Sequence, residues 1–105
     1  MPNVIKEFDS YTVQYTSSKE DISLASISCF NGTEWVGLLT FWERKSSVRE
    51  PSVINGRITL SYTLDRFSDV LDLLRNEEPL QLFLHSGNTW GSIMTKDREP
   101  VGEGE

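Results

Sequence analysis

The sequence predicts an α+β domain: a curved antiparallel β-sheet, one main amphipathic helix over about residues 64–76 after the fourth strand, and a C-terminal β-hairpin. Three observations carry that prediction. Segments rich in β-branched and aromatic residues, with apolar and polar positions alternating, occupy most of the chain before residue 62. Only one stretch carries a helical stripe: Leu64, Phe67, Val70, Leu71 and Leu74 share one face at a period near 3.6. Turn signals, among them Asn31-Gly32 and Asn55-Gly56, separate the extended segments.

The first extended segment runs from Val4 to Tyr15, where Tyr11, Val13 and Tyr15 alternate with Thr12 and Gln14. A polar loop over Ser17–Asp21 follows. The second strand, Ile22 to Phe30, ends at Asn31-Gly32, whose residues accept positive φ and so suit a hairpin. Glu34 to Arg44 is apolar on both parities and is the expected central strand, with Gly37 marking a bend or a bulge. Strict alternation pairs Trp35 with Phe41 on one face, and Trp42 with Val36 and Leu38 on the other. After the loop Lys45–Pro51, Arg57 to Tyr62 is the fourth strand, with Ile58 and Leu60 facing the core.

Thr63 stands at the N-cap position of the helix and Asp65 in its first turn, where a negative charge is favoured. Asp65, Asp69 and Asp72 fall on the solvent side, Arg75 in the last turn, and Pro79 prevents continuation. Leu80–Leu84 and Thr89–Thr95 form the hairpin around a His85-Ser86-Gly87-Asn88 turn. Residues 1–96 are expected to form the single domain and 97–105 an acidic flexible tail.

Composition narrows the function. With 105 residues, 10% aromatic content and three tryptophans, the chain can bury a core without staples. Cys29 is the only cysteine, so no internal disulfide forms, and no neighbouring histidine equips it as a nucleophile. No apolar run reaches the roughly 20 residues of a membrane span. The N-terminus lacks the pattern of a secretory signal, and the expected location is the cytoplasm. His85 reads as a turn residue, the helix carboxylates as a solvated face, and the glycines form no phosphate loop. The expectation is therefore a non-enzymatic module without cofactor or metal.

Charge is uneven. The chain carries net −6, which opposes unspecific attraction to phosphates. Yet between residues 44 and 57 four cations, Arg44, Lys45, Arg49 and Arg57, stand against Glu50 alone, a local +3 directly after Phe41-Trp42. Cations beside rings are what single-strand binders use: the cations meet phosphate and the rings stack on bases.

The order of these features resembles the positive-cofactor-four family of single-stranded-DNA-binding transcriptional coactivators. The matching features are Phe30-Asn31-Gly32, a strand ending in Phe41-Trp42, a charged loop, Gly56-Arg57-Ile58-Thr59-Leu60, and a helix carrying Phe67, Leu71 and Leu74. The similarity spans roughly residues 22–74. Small uncharacterised bacterial proteins of that fold class look similar too. The resemblance implies a homodimer with Phe67, Val70, Leu71 and Leu74 at its interface. It also implies single-stranded DNA or RNA bound by Trp42, Arg44, Lys45, Arg49 and Arg57. The chain departs from the family in its less basic loop, its overall acidity and its extra C-terminal hairpin. Two alternatives stand beside this: a protein-interaction module of the same fold, and a small-ligand site between sheet and hairpin using His85 and Trp90.

Overall fold

A computed structural model describes residues 3–18, 23–77, 79–87 and 89–96. It contains eight strands: β1 (Val4–Phe8), β2 (Ser10–Tyr15), β3 (Ala25–Asn31), β4 (Glu34–Trp42), β5 (Ser52–Ile54), β6 (Arg57–Thr63), β7 (Leu80–Leu84) and β8 (Gly91–Thr95). The helix α1 spans Phe67–Asn76 and is entered through a 3-10 turn, Leu64–Arg66. A second 3-10 turn, Lys45–Ser47, lies in the loop after β4. The α+β class, the position of the helix and the C-terminal hairpin follow the sequence reading.

The strands form two sheets, ordered β2-β3-β4-β6-β5 and β1-β7-β8. The first extended segment is thus two strands. Asp9 is the single residue at which the chain leaves the small sheet for the large one, where its N–H donates to Phe30 O at 2.9 Å. β4 lies at the centre of the five-stranded sheet, as its apolar residues on both parities suggested. The loop after β4 passes β6 and places β5 at the edge, so the returning β6 pairs with β4 in parallel within an otherwise antiparallel sheet. The β5–β6 turn has both central residues at positive φ (Asn55 54°, Gly56 76°), the primed turn that matches strand twist. In the β3–β4 hairpin the loop residues are Gly32 and Thr33, and only Gly32, at φ 62°, is positive. Glycine first is the signature of the other primed turn.

One face of the large sheet is covered by the small sheet and by α1. Ala25, Ile27, Cys29, Leu39, Phe41, Ile58 and Leu60 meet Phe8, Leu80, Leu82 and Leu84, and the helix adds Phe67, Val70 and Leu74. Phe67 meets Phe41 edge-on at 5.1 Å and Tyr15 at 5.0 Å. The sheets approach closely at two glycines. A Cβ at Gly37 would lie 2.1 Å from Leu82 Cδ1; one at Gly91 would lie 2.5 Å from Leu60 Cδ2 and 2.7 Å from Phe83 O. Thr63 does not cap the helix as expected: the 3-10 turn intervenes, and its hydroxyl donates to the Asp65 carboxylate instead. Asp65, Asp69 and Asp72 are exposed, as read from the sequence, and Arg75 is exposed in the last turn. Among the described residues no helix is long and apolar enough to cross a membrane. The acidic tail, 97–105, lies outside the described residues, as does Asn88 of the expected turn.

Candidate nucleic-acid interface

The second face of the five-stranded sheet is built by alternation, and one bulge decides its composition. Cys29 pairs with Gly37 but Phe30 pairs with Trp35, so β4 carries one residue more than β3 at this point. The extra residue shifts the period by one. Val36 joins the core at 2% exposure. Trp35 moves to the face of Leu38, Thr40 and Trp42, away from Phe41. The strict-alternation assignment of Trp35 and Val36 is therefore corrected, and the bulge anticipated at Gly37 is the cause.

On this face Trp35 stacks on Phe30 at a centroid distance of 6.4 Å and donates its indole N–H to Gly37 O at 2.8 Å. The Arg57 guanidinium lies 3.5 Å over the Trp35 ring. At the other end of β4, Arg49 lies 5.1 Å over Trp42. Each such contact contributes about 0.5–2 kcal/mol and fixes a long cationic side chain against a rigid plate. At about 3.3 Å per residue, the two Arg–Trp pairs stand about 20 Å apart along the strand.

Between them lie hydroxyls. Gln14, Ser26, Thr40 and Ser61 are in register across four strands. Thr12, Ser28, Leu38, Thr59 and Ser52 are in register across all five. Trp42 Nε1 donates to Thr40 Oγ1 at 3.1 Å, and that oxygen lies 2.8 Å from Ser61 Oγ. Thr40 accepts from the indole and so can donate to Ser61, a short chain holding both strands and the Trp42 ring. By this register, the strand positions on this face include no Asp or Glu, although the chain carries sixteen.

The structure thus brings Trp42 and Arg49 together and places Arg57 at the far end of the same face. Trp42 is only 9% exposed beneath Arg49, whereas Trp35 is 38% exposed. Arg44 and Lys45 are exposed beyond the end of β4. Among the described residues, none of the four cations forms an ion pair: the bridges are Arg66–Asp69 and Lys96–Glu7. The Nε of Arg57 is buried without a hydrogen-bond partner among these residues.

Sequence reading missed Trp35, Phe30 and the hydroxyl rows. The serines and threonines of β3 and β6 alternate with core residues, so their common face was visible as a pattern; its continuity across strands required the register. Of the four helix residues expected at a dimer interface, Phe67, Val70 and Leu74 are buried in the chain's own core at 7–8% exposure, and Leu71 is half-buried. His85 stacks on Trp90 at 5.1 Å, and its Nδ1 accepts the Gly87 N–H at 3.2 Å, a turn arrangement. No group of three or more metal-ligating side chains occurs among the described residues. Burial pushes the Cys29 thiol up from 9.0 to about 12, so it stays protonated inside the core.

Comparison with protein-family models, with curated proteins and with solved structures found no match to this chain, so the functional reading rests on its own residues.

Proposed function

We propose that the protein is a non-catalytic binding module that holds a single strand of nucleic acid on the open face of its five-stranded sheet. The observation that supports this best is one face combining two Arg-capped tryptophans, rows of hydroxyls and no strand carboxylate in a chain of net −6. Phe30, and the part of Trp35 that Arg57 leaves exposed, offer ring surface to bases. Arg49 and Arg57, held over Trp42 and Trp35, face phosphates, and Arg44 and Lys45 extend the positive end. The Ser and Thr rows supply neutral donors and acceptors for sugar and base edges. A span of about 20 Å accommodates a short strand, in keeping with sites of about 4 nucleotides or more in other sheet-based binders.

This reading differs from the sequence-derived set by adding Trp35 and Phe30. It gives Trp42 the task of positioning Arg49. It requires no second copy, because little of the helix stripe remains for a partner. The test is a fluorescence anisotropy titration with labelled oligothymidine at low and moderate salt. Binding that weakens with salt, and weakens further in Arg57→Ala, is expected. Absence of binding at tens of micromolar in low salt refutes the reading and leaves the protein-interaction alternative.

A further inference from the structure

A cleft of about 330 Å³ lies away from the open sheet face, between the β1–β2 junction and the end of α1. Its floor is apolar: Phe8, Leu74 and Leu80 are each less than a tenth exposed. Tyr11 and two acidic residues, Asp9 and Glu77, also line it.

Both carboxylates are placed by the backbone. Asp9 occupies the one-residue passage between the sheets, and its two oxygens accept the Gly32 N–H at 3.2 and 3.3 Å, which ties the passage to the β3–β4 hairpin. Glu77 is the C-cap of α1, with its N–H donating to Leu73 O at 3.1 Å. The carbonyl end of a helix adds about half a negative charge at that point. Neither carboxylate forms an ion pair among the described residues.

We propose that this cleft binds a small organic cation, with an ammonium group between Asp9 and Glu77 and an apolar body on Phe8, Leu74 and Leu80. The chemistry discriminates among ligand classes. An anion meets two carboxylates and the negative end of a helix. Among the described residues a hydrated metal ion finds two acidic side chains over an apolar floor, where such ions take six or more oxygens. An ammonium gains charge-assisted hydrogen bonds, while its apolar part leaves water. The volume lies at the low end of small-molecule sites, roughly 300–1,000 Å³.

The test uses three probes with a common benzyl body, phenethylamine, 2-phenylethanol and phenylacetate, titrated into 15N-labelled protein. The amine is expected to shift the amides of Tyr11, Glu77 and Leu80 saturably, the alcohol to bind at least about tenfold more weakly, and phenylacetate to leave them unmoved. In Asp9→Asn/Glu77→Gln the amine loses its advantage over the alcohol. The fold persists, because the Asn amide oxygen still accepts the Gly32 N–H. Equal affinity for amine and alcohol, no shift at millimolar amine, shifts centred elsewhere, or undiminished binding by the double variant overturns the proposal. Oligothymidine binding by that variant is independent, so this site and the sheet face stand or fall separately.

Discussion

Gly37→Ala probes the packing of the small sheet across the large one. The new methyl would lie 2.1 Å from Leu82 Cδ1, 3.4 Å from Cys29 Cβ and 3.5 Å from Ile58 O. Leu82 has no exposed surface, so its side chain cannot swing into solvent to make room. Overpacking of this kind costs about 1–3 kcal/mol. In a domain of this size that lowers Tm by roughly 4–24 °C, at about 4–8 °C per kcal/mol. Steric cause is separated from a backbone effect by adding Leu82→Ala, which alone costs about 2–5 kcal/mol through the cavity it leaves. In the double variant the alanine methyl at residue 37 occupies part of that cavity. The combined loss should therefore fall short of the sum by at least about 0.5 kcal/mol. Urea unfolding followed by far-UV circular dichroism and tryptophan fluorescence measures each corner of the cycle. A Gly37→Ala loss under about 0.5 kcal/mol, or strict additivity with Leu82→Ala, refutes the contact between β4 and β7.

Other outcomes follow from the same geometry. Thr40→Val removes the acceptor of the Trp42 indole and the partner of Ser61, and should cost about 1–3 kcal/mol in urea unfolding, whereas Thr12→Val at the exposed edge should cost little. Burial raises the folded pKa of Cys29 to about 12, so the unfolded chain loses its thiol proton first; stability is unaffected below pH about 9 and falls between about 9 and 12. Burial, then charge on Cys29, raises Tyr62 as well, so alkaline melts of Cys29→Ser should show a shallower fall than wild type over that window. If single-stranded DNA binds through Arg44, Lys45, Arg49 and Arg57, the slope of log affinity against log salt is no steeper than about −2.8, at roughly 0.7 per phosphate. Trp35→Ala should weaken oligothymidine binding by about 1–3 kcal/mol, the loss typical of one stacking ring, whereas Trp90→Ala, just before β8 of the other sheet, should not change it.

The helix and the central strand were legible because their patterns are local. The stripe Phe67, Val70 and Leu74 repeats at the helical period, and β4 is apolar on both parities because Val36, Leu39 and Phe41 enter the core while Trp42, at the end of the other face, is buried beneath Arg49. The split at Asp9 was not legible, since β1 and β2 share an unbroken extended pattern and differ only in their partners, β7 and β3. The parallel pairing of β4 with β6 was hidden likewise, because a strand's residues do not state which neighbour lies beside it. For the site, charge gave Arg49 and Arg57, and Gly37 hinted at a bulge. The consequence of the bulge, Trp35 beneath Arg57 on the same face as Trp42, needed the register.

The proposed role of the open sheet face is tested most directly by titrating unlabelled oligothymidine into 15N-labelled protein at low salt. The account predicts saturable shifts at the Trp35 indole N–H and at the amides of Ser26, Ser28, Thr40, Arg49, Arg57 and Ser61, with Ile5, Phe83 and Met94 on the small sheet unmoved. Shifts confined to the small sheet, or a spectrum unchanged by excess oligonucleotide, would contradict it.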